Sequence, residues 1–198
     1  MTANNQKVSR SQQILQSLAE MLQDPSAKIT TATLAKHVGV SEAALYRHFP
    51  SKARMFEGLL DYMDEALFSR VNQISKSEKT PLEKIYELST LFIVFAERNP
   101  GFCRLMTGEA ITGEHERLHA RVNKVFERFN FEVKQIIKQA ELQASLKPTI
   151  LANAEAELIT SLVQGKIASY VRSNFQQLPS EHWQRQFELI GKDLFEAL

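Results

Sequence analysis

Apolar residues recur every three or four positions along almost the whole chain, and no segment alternates apolar and polar residues as an exposed strand does. A capping box at residues 80–83, with Pro81 at the first helical position, marks one helix start firmly. Asn99-Pro100-Gly101 closes that helix. The pattern predicts helices over about residues 14–22, 30–38, 42–49, 52–74, 81–98, 114–143, 149–176 and 180–198. We therefore expect an all-α protein.

Residues 29–52 have the pattern of a helix-turn-helix. Thr30 or Thr31 is suited to cap the first helix, and Gly39 stands where that helix has to stop. Ser41 is a good cap for the second helix, which Pro50 ends. The positions predicted to face inward are all apolar: Leu34, Ala35, Val38, Leu45 and Phe49. Such a unit lays its second helix in the DNA major groove.

The predicted DNA contacts lie on the exposed face of the second helix and at the neighbouring helix starts. They are Thr30, Thr31, Ser41, Glu42, Ala43, Ala44, Tyr46, Arg47, His48 and Lys52. The alanines let the backbone approach base edges, and their methyl groups suit thymine methyls. Thr30, Tyr46, His48 and Lys52 suit phosphate oxygens, which position a protein without specifying a sequence. The alternative is a small helical hairpin with an ordinary solvated face.

The charge distribution favours DNA binding more than the total charge of +1 does. Residues 1–54 carry seven Lys/Arg and three Asp/Glu, a net charge of +4, whereas the remainder is at −3. A basic amino-terminal part on a mildly acidic body is expected when one end of a protein faces phosphates. The arm before the first helix contributes only Lys7 and Arg10. We therefore predict DNA-binding over residues 1–54 and a separate body over residues 55–198.

Enzymatic and metal chemistry find little support in the sequence. Cys103 is the only cysteine, and we expect it to be a buried thiol. The five histidines are scattered, and there is no glycine-rich phosphate loop. His115 and His119 could meet on one helical face and bind a metal, although a solvated helix face is the simpler interpretation. We predict no enzyme, metal or cofactor, and, without a signal peptide or spanning segment, a cytoplasmic location without a membrane partner.

The amino-terminal unit, which ends in the residues of 45–52, resembles the TetR superfamily of transcription factors. More narrowly, the chain resembles the nucleoid-occlusion factors of that superfamily at residues 14–18, 29–31, 38–52, 97–101 and 171–173. The resemblance implies a TetR-like fold, with a three-helix helix-turn-helix unit on a helical-bundle dimerisation body. It also implies a nucleoid-associated homodimer that binds palindromic chromosomal DNA. Its second partner would be the tubulin-like division GTPase FtsZ, whose polymers it would disrupt over the chromosome.

The last two predicted helices are the candidate dimer interface. Their apolar and small residues at helical spacing include Leu158, Leu162, Gly165, Trp183, Phe187, Ile190 and Leu194. These residues either fill the core of one chain or form the self-complementary four-helix interface that the resemblance implies. Two recognition helices about one DNA turn apart would then match both halves of a palindrome.

A candidate partner surface combines Tyr62, Arg70, Arg98 and Asn99. Tyr62 lies off the apolar stripe of its helix, whereas Arg70 falls within it. Exposed aromatic and arginine side chains are common interface anchors, but Asn99 as a helix cap and the arginines in surface ion pairs would explain the same residues. The resemblance favours this surface as the site for the division protein.

A ligand-responsive repressor is the second functional hypothesis. Many TetR relatives hold a small molecule inside the body, and Phe92, Phe95, Phe102 and Phe129 could line such a pocket. Aromatic residues at helical spacing more often simply fill a core.

Overall fold

The computed structural model describes residues 9–24, 26–113, 116–143 and 146–196. Over these residues the chain is almost entirely helical, as the apolar spacing predicted. The α-helices are α1 (Arg10–Met21), α2 (Thr31–Val38), α3 (Glu42–His48), α4 (Lys52–Ser75), α5 (Pro81–Arg98), α6 (Pro100–Met106), α7 (Glu116–Leu142), α8 (Ala152–Arg172) and α9 (Trp183–Gly191). A 3₁₀ turn, Glu109–Ile111, precedes α7, and two short strands, β1 (Lys147–Pro148) and β2 (Phe195–Glu196), pair antiparallel.

The head consists of α1, α2, α3 and the first turn of α4. Its core is made by Ile14, Leu18, Leu34 and Leu45, all buried. Helix α4 continues without interruption into the body, so the predicted boundary at residue 54 lies within its first turn. The head and the body therefore share one rigid helix.

The body packs around α5, whose core residues include Leu88, Phe92 and Ile93. The Phe92 ring lies 4.6 Å from that of Phe129 on α7 and 6.0 Å from that of Phe68 on α4. These tilted and edge-on contacts are those that aromatic side chains adopt in a filled core.

Helices α4 and α7 run parallel and are joined along their length by ion pairs. These pairs are Glu57 with Arg117, Asp61 with Arg121, and Asp64 with Arg128. Glu57 is buried and also accepts a hydrogen bond from Arg54, at 2.8 Å. The α7 side of α4 is thereby fixed, and the rest of α4 packs against α5 and α1 or faces solvent.

The prediction of a last helix from residue 180 to 198 is wrong in its extent. Helix α9 ends at Gly191, and the chain turns back so that Phe195–Glu196 pairs with Lys147–Pro148. The amide of Thr149 donates to the carbonyl of Leu194 in the same connection. This strand pair joins residues almost fifty positions apart in sequence. The spacing of apolar residues within one segment cannot reveal such a pairing.

Candidate nucleic-acid interface

The helix starts of the head are capped by the side chains that the sequence predicted. Thr30 caps α2 by accepting a hydrogen bond from the amide of Thr33, whose own hydroxyl accepts from the amide of Thr30. Ser41 caps α3 and Ser51 caps α4 through equivalent hydrogen bonds, each of 3.2 Å. These caps satisfy amides that the first turn of a helix leaves free, and they set where α3 and α4 begin.

The turn between α2 and α3 is fixed by Gly39. Its φ of +74° lies in the left-handed region, which side chains with a Cβ rarely adopt. The amide of Val40 then donates to the carbonyl of Ala35, at 2.9 Å, and closes the end of α2. The predicted tight turn between the two helices is confirmed.

Three of the predicted DNA contacts form one cluster at the junction of α2 and α3. The hydroxyl of Thr31 donates to the carboxylate of Glu42, at 2.8 Å. The phenol of Tyr46 donates to the same Thr31 oxygen, at 3.4 Å. Tyr46 is 44 % exposed, so part of its ring remains accessible from solvent. The cluster orients Thr31 and Tyr46 together. It also gives the Glu42 carboxylate, which would repel DNA phosphates, a hydrogen-bond donor within the head.

The remaining predicted contacts present a small, basic face. Ser41, Ala43, Arg47 and His48 are exposed, and Ala44 is half-buried. The His48 ring lies 3.3 Å from the hydroxyl of Ser11 on α1, a neighbour that the sequence pattern did not single out. Helix α3 thus carries alanine methyls flanked by cations and hydroxyls, which suits base edges between two lines of phosphates.

The residues behind this face add a second charged position at the start of α4. The Lys52 ammonium lies 5.5 Å from the centre of the Phe56 ring, directly after the Ser51 cap. Arg10 is the first residue of α1 and donates to Gln13, whereas Lys7 lies outside the described residues. The predicted phosphate contacts within the described head therefore lie at the start of α2, on α3 and at the start of α4.

A groove of about 740 Å³ runs along the seam between the head and the body. We call it the partner groove, and its lining residues are Gln12, Leu15, Gln16, Ala19, Glu20 and Gln23 of α1 with Leu59, Tyr62, Asn99 and Phe102. Tyr62 is 56 % exposed and stacks on the Phe102 ring at a centroid distance of 6.2 Å. The structure thus brings two of the four predicted partner residues, Tyr62 and Asn99, to one groove.

The two predicted partner arginines lie outside the lining of this groove. Arg70 and Arg98 are exposed, and neither forms a hydrogen bond or an ion pair with a described residue. Arg70 is eight residues beyond Tyr62 on α4, or roughly 12 Å along the helix axis. Asn99 caps the end of α5 by donating to the carbonyl of Phe95, at 2.7 Å. The explanation of Asn99 as a helix cap is therefore correct, and the ion-pair explanation of the arginines is not supported by the described residues.

The Glu97-Arg98-Asn99 corner is held from the side of α8. The phenol of Tyr170 donates to the Glu97 carbonyl, and the Glu97 carboxylate accepts from the amide of Ser180, each at 3.2 Å. Ser180 lies in the connection between α8 and α9. The corner is thereby attached to α8 and to the connection that follows it.

The candidate dimer face needs a correction at three residues. Trp183, Phe187 and Leu194 are 3 %, 4 % and 3 % exposed within the single chain, so they belong to its own core. The Trp183 indole donates to the Thr90 hydroxyl at 3.0 Å, which ties α9 onto α5. An apolar stripe on α9 was correctly recognised, but it is the inward stripe.

The other four residues of that prediction lie on open surface. Leu158 is 46 % exposed, Gly165 has no atom within 4 Å of a Cβ built on it, and Leu162 and Ile190 are half-buried. Leu189 of α9 is 68 % exposed and was missed, because it does not belong to the inward stripe of α9. The exposed surfaces of α8 and α9 therefore carry apolar residues, and at Gly165 no side chain projects from α8.

The aromatic residues considered for a ligand pocket contact one another. Phe92 and Phe129 are fully buried, and the Phe95 ring lies 5.5 Å from that of Phe102. Cys103 is buried, as predicted, and burial raises the pKa of its thiol to about 12, so the thiol stays protonated near neutral pH.

The described residues hold neither a metal-binding cluster nor a membrane-spanning helix. There, no group of three His, Cys, Asp or Glu side chains is arranged to hold a metal ion. His115, one of the pair considered for a metal, lies outside the described residues. In the same part of the chain, no helix is both long enough and apolar enough to cross a membrane.

Two family models match the chain. The model "Bacterial regulatory proteins, tetR family" matches residues 16–59, and the model "Tetracyclin repressor-like, C-terminal domain", of the SlmA-like group, matches residues 76–195. The "Nucleoid occlusion factor SlmA" of Marinomonas sp. is 48 % identical over 192 residues, which is 96 % of this chain and 98 % of that protein. The protein of the same name from Colwellia psychrerythraea is 48 % identical over 94 % of each chain.

Solved structures with the same fold are more distant in sequence. A transcriptional regulator FadR from Bacillus subtilis, in complex with stearoyl-CoA, has a TM-score of 0.78 over 92 % of this chain and 98 % of its own, at 14 % identity. A TetR transcription regulator from Haloarcula marismortui has the same TM-score over 94 % and 98 %, at 17 % identity. These likenesses establish the all-α TetR architecture that the sequence predicted.

Proposed function

This chain belongs to the SlmA nucleoid occlusion factors within the tetR family of DNA-binding regulators, and we propose on that premise that it is a DNA-activated inhibitor of cell division. In this proposal a homodimer binds palindromic sites on the chromosome and disrupts FtsZ polymers there. Its place of action is the nucleoid in the cytoplasm. The members of this family are DNA-binding regulators rather than enzymes.

The DNA part of the proposal is supported by the arrangement of the capped helices. Ser41 fixes the start of α3 and Ser51 fixes the start of α4, so the exposed Ser41 and Ala43 of α3 and the half-buried Lys52 of α4 have defined positions in the head. Glu42 lies on α3 too, but its carboxylate accepts the Thr31 hydroxyl. The first turn of α3 would meet base edges while Thr30, Tyr46 and Lys52 hold phosphates.

The dimer is supported by the open apolar face of α8 and α9. We propose that exposed or half-buried residues of α8 (Leu158, Leu162 and Gly165) and of α9 (Leu189 and Ile190) form an isologous interface. The small residue Gly165 would let the two copies of α8 approach closely. A dimer places two α3 helices about one DNA turn apart, which is the spacing that a palindrome requires.

The partner groove is the proposed site for FtsZ. Its exposed aromatic residue, Tyr62, lies on Phe102. Arg70, further along α4, and Arg98, at the end of α5, are exposed and form no ion pair with a described residue. Aromatic and arginine side chains are the usual anchors of protein interfaces. Asn99 donates one amide hydrogen to the Phe95 carbonyl, and its second hydrogen and its side-chain oxygen form no hydrogen bond with a described residue, so its amide can also contact the partner.

The single observation that carries the whole proposal is full-length similarity to nucleoid occlusion factors, at 48 % identity. We test it by sedimenting GTP-assembled FtsZ with this protein and either a bound palindromic DNA or a scrambled duplex. We expect less polymer in the pellet, and a clearly larger loss with the palindromic DNA. Polymer that is unaffected in both mixtures would reject the proposal.

A variant pair locates the site in the same assay. Tyr62→Ala removes the exposed ring of the partner groove, and we expect it to leave FtsZ polymers intact while DNA is still bound. Phe131→Ala removes an equally exposed aromatic ring from α7, with 55 % against 56 % exposure, and we expect it to act as the unchanged protein does. If Tyr62→Ala and Phe131→Ala disrupted FtsZ polymers to the same extent, the groove would lose its support as the FtsZ site.

The ligand-responsive repressor is the competing hypothesis. Bound stearoyl-CoA is described for the FadR structure, but at 14 % identity that likeness extends to the fold alone. In the present chain Phe92 and Phe129 fill the body core against each other. A small molecule that releases this protein from its DNA would favour the repressor.

A further inference from the structure

Helix α6 (Pro100–Met106) contacts the head on one face and the partner groove on the other. It follows Asn99 directly, and all of its residues after Pro100 are buried. Its position between α1 and α5 makes it the part of the body that meets the carboxyl end of α1.

Gly101 sets the separation of α6 and α1. A Cβ atom built on it would lie 2.3 Å from the carbonyl oxygen of Ala19 and 3.1 Å from the Cβ of Leu22. Real Cβ atoms do not come so close to a backbone oxygen, so any side chain here would force the two helices apart. The two backbones are therefore in direct contact at this point.

Arg104 adds a polar tie one helical turn further along the same face. Its Nη1 donates to the carbonyls of Leu22 and Asp24, at 3.1 and 3.0 Å, and its Nε donates to the carboxylate of Glu109 at 2.8 Å. The residue is 8 % exposed. The two carbonyls follow the end of α1, where a helix leaves acceptors free, and that of Asp24 also accepts from the amide of Ala27. Hydrogen bonds from a buried guanidinium are strong and costly to lose, so the end of α1 is held by the body.

Phe102 forms the other side of this arrangement. Its ring stacks on Tyr62 with planes inclined by 23°, and it also contacts the ring of Phe95. The partner groove therefore has one wall from the head, on α1, and another from the body, which includes Phe102. A shift of α1 and α6 relative to α4 changes the position of Phe102 relative to Tyr62, and with it the shape of the groove.

We propose that Arg104 is a positioning residue that couples DNA binding by the head to the shape of the partner groove. A seven-residue helix that is tied to α1 through Gly101 and Arg104 moves with α1, and it carries Phe102 across Tyr62 as it does so. This inference rests on the proposed function and adds the route by which DNA regulates the site. Coupling of this kind is reciprocal: FtsZ would tighten DNA binding by the same factor as DNA tightens FtsZ binding.

The first experiment measures this coupling factor directly. Labelled FtsZ is titrated with the dimer, with and without a saturating palindromic duplex, and the ratio of the two dissociation constants is taken. For the unchanged protein we expect a ratio of about fivefold or more. For Arg104→Gln we expect a ratio below about twofold, with DNA affinity in the absence of FtsZ changed by less than about threefold. A merely structural role of Arg104 would lower both affinities and leave their ratio intact.

Lys84→Gln is the matched control. Lys84 also donates to a backbone carbonyl, that of Ser75 at 3.1 Å, but at the end of α4 remote from the head. We expect this variant to keep the full ratio. An Arg104→Gln ratio equal to that of the unchanged protein overturns the inference alone, whereas no FtsZ binding by the unchanged protein overturns the proposed function and the inference with it.

A second measurement needs no FtsZ. Hydrogen exchange of the amides in residues 99–106 is compared with and without DNA. We expect DNA to change their exchange in the unchanged protein and in Lys84→Gln, but not in Arg104→Gln. Should Arg104→Gln fail to fold, Arg104→Lys keeps the charge and one donor group, and we expect a reduced change from it. Exchange that does not respond to DNA in the unchanged protein, or responds equally in the Arg104 variants, overturns the inference.

Discussion

At the residue scale, Lys52 has a role that a salt titration isolates. It follows the Ser51 cap at the first position of α4, beside the proposed DNA-binding face. Each cation that neutralises a phosphate contributes about one counterion to the slope of log K against log salt. We expect Lys52→Gln to reduce that slope by about one and to weaken binding to all duplexes alike.

The control for this prediction lies at the other end of the same helix. Lys76 is exposed at the carboxyl end of α4, in the body. Lys76→Gln makes the same change of charge, and its slope should match that of the unchanged protein. If the slope of log K against log salt were the same for Lys52→Gln and Lys76→Gln, a phosphate contact at Lys52 would be contradicted.

Glu155 gives a pH prediction at the same scale. It is 1 % exposed in the first turn of α8, where one carboxylate oxygen accepts from the amide of Ile150 and the other has no partner among the described residues. Burial raises the pKa of this carboxyl group, although hydrogen bonds from the Ile150 and Thr149 amides oppose the shift. A raised pKa in the folded state favours the protonated form, so its contribution to stability is complete at low pH and is lost as pH rises through the folded pKa.

Replacing Glu155 with Gln removes this ionisation. We expect the free energy of unfolding of Glu155→Gln, relative to the unchanged protein, to increase as pH rises from about 4 to about 7. Urea unfolding at a series of pH values measures it. Glu157→Gln, at an exposed neighbour on the same helix, should show no such trend. A pH-independent difference for Glu155→Gln would contradict an ionisation that is costly in the fold.

Residues whose roles are local could be predicted from the sequence, and residues whose roles depend on distant packing could not. Thr30, Gly39 and Ser41 act on amides or dihedral angles within a few positions, and the structure confirms them as helix caps and turn residue. Arg104 was not singled out, because its acceptors are about eighty residues away in sequence. An arginine within an apolar helix was the only available signal.

At the scale of helices, the open face of α8 and α9 gives a test of the dimer. Leu158→Glu puts a carboxylate at the centre of the proposed interface, and an isologous interface contains the change twice. We expect dimer dissociation to be favoured by about 2 kcal/mol or more, as for a central interface residue. Analytical ultracentrifugation over a concentration series measures the dissociation constant.

Tyr62→Glu makes a comparable apolar-to-acidic change at an exposed position on α4. The dimer constant should be unaffected by it, since the partner groove is separate from α8 and α9. A Leu158→Glu protein that remains as dimeric as Tyr62→Glu would contradict the proposed interface. The α9 stripe shows why this interface was only partly predictable: periodicity reveals that Trp183 and Phe187 are buried, but not whether α5 or a second chain covers them.

At the scale of the whole molecule, the proposed DNA-binding face and the partner groove are different surfaces that share the head. The head presents α3 and the start of α4, whereas the partner groove uses α1 from the head with α4 and α6 from the body. Helical spacing predicted the all-α architecture because each amphipathic helix reports its own apolar face. The groove lies between segments about ninety residues apart, and no pattern within one segment reports such a contact.

This joint construction has a consequence for where the protein binds in the cell. An inhibitor whose partner groove responds to DNA needs many sites spread over the chromosome, because each bound dimer protects only its surroundings. A repressor needs only a few sites near the promoters that it controls. We therefore expect genome-wide mapping of bound DNA to find dispersed palindromic sites, most of them without an effect on neighbouring transcripts.

The same map made with variants separates binding to chromosomal sites from inhibition of division. Tyr62→Ala should bind the same sites as the unchanged protein and yet allow septa to form over chromosomal DNA, because it retains the head and loses the groove's exposed ring. Lys52→Gln should lower occupancy at all sites together, since phosphate contacts carry no sequence information. Sites confined to a few promoters, with transcripts that rise in both variants, would instead identify a local repressor.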